Sequence, residues 1–134
     1  DKVGAYIMPL YGNGLWDNLW GYLAVQQAEG KTWDTIKGVS FDHKAETPGL
    51  GARITTPEVQ NRYKGKKLFD ESGEFAVRML KGEGNGVEEH SHKVDGMSGA
   101  TITGTGVNNM MESYVGHYKA FLKKLEGGVQ QASL

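Results

Sequence analysis

Asp95-Gly96-Met97-Ser98-Gly99-Ala100-Thr101-Ile102-Thr103-Gly104-Thr105-Gly106 runs directly into Val107, Met110, Met111, Tyr114, Val115, Tyr118, Phe121, Leu122 and Leu125. Those apolar positions keep the i, i+3, i+4, i+7 spacing for about five turns, which predicts an amphipathic helix with one buried face. Lys123 and Lys124 suit its last turn and Gly127-Gly128 suits a left-handed stop, so its start is expected between Thr103 and Gly106. The stretch before it holds four hydroxyls and four glycines. Small residues let a ligand approach the backbone, hydroxyls donate to oxyanions, and the free N–H groups of a helix start attract negative charge. This chemistry describes a phosphate site; the same residue types also make ordinary N-caps. A Walker loop is excluded, because no Gly-Lys-Ser/Thr ending occurs.

Outward from this segment, the composition sets bounds. The chain has 134 residues, 15 Lys+Arg against 16 Asp+Glu, and a net charge of −1, so no electrostatic claim on nucleic acid follows. Its length suits one domain spanning residues 1–134, able to bury roughly 65–70% of its unfolded surface. No run approaches the ~20 apolar residues of a membrane-crossing helix. The absence of cysteine excludes disulfides, thiolate metal sites, Cys-ligated clusters and thiol catalysis. Twenty glycines are about twice the usual share of ~7%, which predicts tight turns or close backbone approaches. The chain opens without Met or a signal segment, as a trimmed piece of something longer would.

Upstream, Val3 to Leu10 reads as a short strand stopped near Pro9, because proline removes a ladder donor. Tyr11-Gly12-Asn13-Gly14-Leu15-Trp16 reads as a shaped loop, Trp20 to Gln26 as a strand punctuated by Gly30-Lys31, and Ile36 to Phe41 as another, together able to form hairpins. Thr56-Pro57-Glu58-Val59 has the order of a helix start, with a hydroxyl cap, proline first and an acid next, so a short helix is expected to about Tyr63. Phe75, Val77 and Met79 alternate with Glu74, Ala76 and Arg78, the pattern of a half-buried strand. A glycine-rich loosening follows through Lys81 to Gly86, and the tail 129–134 is expected to be disordered. The expected fold is α+β: antiparallel strands packed against a long C-terminal helix and a shorter helix.

The Asp-Gly-Met-Ser-Gly-Ala-Thr order at 95–101 resembles the flavinylation motif of the FMN-binding domains in the sodium-translocating NADH:quinone reductase and Rnf complexes. Gly12-Asn13-Gly14-Leu15-Trp16 and Glu46-Thr47-Pro48-Gly49-Leu50-Gly51 resemble two further signature stretches of the same family, in the same order. The Gly-Leu-Trp form, followed by Gly21-Tyr22-Leu23, tilts the resemblance toward the NqrC subunits of the sodium pump, with the RnfG subunits of Rnf as the alternative. The resemblance implies covalent FMN, attached by a separate flavin transferase through its phosphate to Thr101, with Ser98, Gly99 and Ala100 beside the phosphate. It implies that Asp95 is read by the transferase. It also implies an electron relay within a membrane complex that moves electrons from NADH to quinone, so the other subunits would be partners. The flavin domain would stand on the periplasmic side of a bacterial inner membrane, held by an N-terminal anchor absent from this chain. The isolated domain is not expected to oxidise NADH.

A large apolar ring system needs aliphatic or aromatic walls and a few placed polar groups. Trp16 and Leu50 suit the walls, and Glu46 and Thr47 the polar contacts. Lys81 resembles a lysine near the flavin in the family, where a cation favours the electron-rich form and raises the potential. Each position has a plainer reading: Trp16 as a core aromatic, Glu46 as a solvated loop acid, Lys81 as a strand-end charge. Lys66-Lys67 reads as solvated surface. Glu88-Glu89-His90-Ser91-His92 clusters metal-ligand types without a fixed spacing, and no metal site is assigned. A different class of function, a non-redox module binding flavin or a phosphorylated ligand noncovalently, would use the same helix start.

Overall fold

The structure, a computed structural model, describes residues 4–28 and 32–128. The expectations for Val3, for Gly30-Lys31 and for the 129–134 tail lie outside that range. Three strands, β1 (Tyr6–Asn13), β2 (Asn18–Gln27) and β3 (Trp33–His43), form an antiparallel meander in the order β1-β2-β3. A 3-10 turn (Gly51–Thr55), a short helix α1 (Pro57–Gln60) and a second 3-10 turn (Asn61–Tyr63) follow. Two short strands, β4 (Arg78–Met79) and β5 (Lys93–Val94), pair in parallel, and the long helix α2 spans Thr101–Gly128.

Period-2 alternation builds the sheet. Met8, Leu10, Leu19, Leu23, Val25, Ile36 and Phe41 are buried on one face, while Ile7, Tyr11 and Tyr22 stay exposed on the other. Helix α2 sets Val107, Met110, Met111, Val115 and Leu122 into the same core. At roughly 1.5–3 kcal/mol for each fully buried aliphatic side chain, this shared core is the main force holding helix to sheet. Where Thr56 caps α1, its hydroxyl accepts the Val59 N–H, with Pro57 and Glu58 in the first turn, as the sequence order requires.

Three expectations are corrected. Pro9 does not stop β1, which continues to Asn13. This strand lies at the sheet edge, where proline costs no ladder bond; the Pro9 carbonyl instead accepts from the Tyr118 hydroxyl of α2 at 3.3 Å. Helix α2 begins at Thr101, before the expected start, and runs through Gly127 and Gly128, leaving Lys123 and Lys124 short of its last turn. Its first turns tolerate poor helix formers because they pack tightly: a Cβ on Gly106 would strike the Asn13 carbonyl. Finally, of Phe75–Met79 only Arg78 and Met79 form a strand, although Val77 and Met79 are buried and Arg78 exposed as the alternation predicts. Phe75 makes an isolated antiparallel bridge to Phe69.

Candidate cofactor site at the start of the long helix

Gly99, with φ +74°, turns the chain into α2. The Gly104 N–H closes the first helical bond on the Ala100 carbonyl at 3.1 Å, which makes Thr101 the first helical residue. Its side chain is exposed, as are Ser98 and Gly99, whereas Ala100 is buried. Thr101 lines a cavity of about 310 Å³ with Thr105, Asn108 and Asn109 from α2 and Arg78, Met79, Leu80 and Lys81 from the strand alongside. Asn108 fixes that strand by accepting the Met79 N–H at 2.7 Å and donating to the Met79 carbonyl at 3.0 Å.

One buried carboxylate joins the first two signature stretches to the first turn of α2. Glu46, 4% exposed, accepts the Leu15 N–H and the Trp16 N–H, each at 3.0 Å, and the Thr103 hydroxyl at 2.5 Å. Burial pushes its carboxyl pKa up, but the bonds from Thr103, Trp16 and Leu15 outweigh that, and the pKa lies below the ordinary glutamate value. Its oxygens are therefore engaged within the protein, and its place in the site is to hold the Leu15-Trp16 loop against the first turn of α2. Trp16 is 66% exposed, so it is not a core aromatic. Leu50 is also exposed, and its Cδ2 lies 3.1 Å from where a Cβ on Gly99 would stand. Thr47 is exposed, and its carbonyl accepts from the N–H groups of Leu50 and Ala52. Pro48 and Gly49 thus close a turn that presents Leu50 toward the helix start.

The segment from Asp95 to Ser98 is held from the side by groups that sequence reasoning missed. Glu83 binds Arg53 at 2.6 and 2.9 Å and Arg62 at 2.8 Å, and its carboxylate also accepts the Ser98 N–H at 3.1 Å. The Arg53 bond leads the causes that hold the Glu83 carboxyl far below its ordinary value. Arg62 also donates to the Gly96 carbonyl at 2.6 Å. Asp95 accepts from the backbone of Gly84 and Asn85 and from the Asn85 side chain. Lys66 is a correction: it is buried, 4% exposed, with its ammonium donating to the carbonyls of Val87, Glu88 and His90 at 2.8, 3.1 and 2.6 Å. Desolvation lowers its pKa. In the acid and histidine stretch, the His90 ring accepts the N–H groups of His92 and Lys93. Among the described residues no three His, Asp or Glu side chains gather as a metal site.

Fold and site together define a small α+β domain that offers a hydroxyl and a lined cavity at the head of its long helix. The chain belongs to the FMN-binding domain family, whose model matches residues 14–116. It is 38% identical over 129 residues to the C subunit of the Na(+)-translocating NADH-quinone reductase of Yersinia pestis, covering 95% of this chain and 46% of that protein. With the same subunit of Neisseria meningitidis serogroup B the identity is 39% over 132 residues, covering 97% and 48%. The chain thus spans about half the length of the curated relatives it matches. Among solved structures it is similar to Shewanella oneidensis NqrC, with a TM-score of 0.81, 40% identity and coverage of 92% of this chain and 55% of that one. It is also similar to the C subunit of the Na(+)-translocating NADH-quinone reductase of Parabacteroides distasonis, with a TM-score of 0.73, 45% identity and coverage of 88% and 56%. Among the described residues no helix is long and apolar enough to cross a membrane.

Proposed function

We propose that this domain carries FMN as a phosphoester on Thr101 and relays electrons within a sodium-translocating NADH:quinone reductase. The observation that carries the reading is the position of Thr101: an exposed hydroxyl at the first residue of α2, opening on a cavity that Lys81 also lines. The residues fit the group. Amide N–H groups at a helix start favour a phosphate, and the cavity of about 310 Å³ beside Thr101 lies at the small end of ligand pockets. Exposed Trp16 and Leu50, outside that cavity's lining, offer apolar surface for a ring system on the Glu46 side of the helix start. Bound FMN supplies the redox chemistry. The protein supplies attachment at Thr101 Oγ, walls from Trp16 and Leu50, a cation from Lys81, and the rigidity that Glu46 and Glu83 give to the surrounding loops.

In this reading the 134 residues are one domain of a longer, membrane-anchored subunit on the periplasmic side. Its partners are the other subunits of the complex, and a flavin transferase during maturation. Support comes from the similarity to the C subunit of that enzyme over nearly the whole chain. Coexpression with a flavin transferase and Mg2+ tests it: yellow colour should stay with the polypeptide after denaturation and gel filtration, and Thr101→Ala should abolish it. Colour that leaves on denaturation, in both proteins, would show a noncovalent flavin site instead.

A further inference from the structure

Lys81 stands at a change of regime. Up to Leu80 the chain is fixed by sheet bonding, with the Leu80 N–H on the Val94 carbonyl at 2.8 Å. From Gly82 to Gly86 it turns through three glycines at positive φ. Asn85 holds this turn together. Its side-chain amide donates to the carbonyls of Lys81 and Gly82, each at 3.1 Å, and to the Asp95 carboxylate at 2.7 Å. The Asn85 and Gly84 backbone N–H groups reach the same carboxylate at 3.1 and 2.9 Å. One amide therefore ties the backbone that carries Lys81 to the first residue of the motif that carries Thr101.

We propose that Asn85 is a positioning residue: by binding the Lys81 and Gly82 carbonyls to Asp95, it fixes the backbone from which Lys81 lines the cavity beside Thr101 and so sets how strongly the Lys81 charge acts on a flavin attached there. The inference rests on the flavin-carrier reading and extends it to a residue outside the three signature stretches. Lys81 is exposed on a long flexible stem, and such a side chain keeps a fixed place only if its backbone does. Without the Asn85 amide, the Lys81 and Gly82 carbonyls lose a shared donor and Asp95 loses one of its partners. A turn rich in glycine then gains conformational freedom, and the cation spends less time at the cavity.

The experiment compares the flavinylated parent with Asn85→Ala, Lys81→Ala and the double variant, reading the flavin midpoint potential. In the unflavinylated proteins, amide hydrogen exchange at Gly84 is read as well. Lys81→Ala should shift the potential downward, because a cation that favours the reduced state is removed. Asn85→Ala should shift it the same way and by no more, the double variant should match Lys81→Ala alone, and Gly84 exchange should quicken in Asn85→Ala. An Asn85→Ala potential equal to the parent's, an Asn85 effect that persists in full without Lys81, or no effect of Lys81→Ala would each overturn the proposal. If Asn85→Ala fails to fold, Asn85→Ser, which keeps one donor, should give the same direction with a smaller shift. A parent that takes up no flavin on Thr101 would sink the flavin-carrier reading itself and this inference with it, an outcome distinct from a loaded protein with an unmoved potential.

Discussion

Replacing Glu46 by Gln removes one charge from a buried site and changes the pairing of three donors. The carboxylate accepts Leu15 N–H and Thr103 Oγ–H on Oε1 and Trp16 N–H on Oε2. Glutamine keeps one oxygen, so one backbone N–H faces an NH2 group and loses its acceptor. An unpaired buried donor costs about 1–3 kcal/mol, and the remaining bonds fall from charge-assisted to neutral strength. A loss of about 2–4 kcal/mol follows, seen as a fall in Tm of roughly 10 °C for a chain of this length. The difference should depend on pH. The folded-state carboxyl pKa is lowered from the ordinary 4.5, so the stabilisation is fully present above the unfolded value and disappears as pH falls through the lower, folded one. Thermal unfolding followed by circular dichroism from pH 7 to pH 3 should show the parent's advantage over Glu46→Gln shrinking on the acid side. A Tm change near zero at pH 7, or a difference that stays constant down to pH 3, would refute the claim that this carboxylate clamps the site.

Other substitutions probe separate parts of the molecule. Lys66→Met should strip the donor from the Val87, Glu88 and His90 carbonyls, costing about 1–3 kcal/mol and speeding limited proteolysis between residues 87 and 92; unchanged cleavage would count against it. Gly106→Ala, which on helix propensity alone should help by about 1 kcal/mol, should destabilise by about 1–3 kcal/mol because its Cβ meets the Asn13 carbonyl; a rise in Tm would contradict that packing. Attached phosphate at the head of α2 should raise Tm relative to the unmodified protein, since it meets free N–H groups; differential scanning calorimetry giving an equal or lower value would speak against phosphate at that position.

Periodicity made the framework legible. The i, i+3, i+4 run located α2, short apolar runs punctuated by turn residues located β2 and β3, and Thr56-Pro57-Glu58 located α1, because each pattern reports a local rule. Errors arose where tertiary contacts override local preference. Pro9 looked like a stop, yet an edge strand does not need its donor. The start of α2 was expected between Thr103 and Gly106, yet the helix opens at Thr101, with Thr103 bonded to Glu46 and Gly106 letting the helix approach β1. The structure brings Trp16, Glu46, Leu50, Gly99 and Thr103 together at the head of α2. Lys81 joins Thr101 on the cavity beside it. What the sequence left hidden were side-chain bonds between separate segments: Arg53 and Arg62 to Glu83, Asn108 to Met79, Asn85 to Asp95. Such pairs leave no periodic trace. Lys66 was hidden for a related reason, since an ammonium satisfied by three carbonyls has no marker in composition.

Attachment of FMN at Thr101 is tested most directly by intact mass under denaturing conditions. After coexpression with an active flavin transferase, the parent should gain the mass of one FMN less one water and Thr101→Ala should gain nothing. An unmodified parent beside a control substrate that is modified, or a Thr101→Ala protein that gains the same mass, would contradict attachment at this hydroxyl.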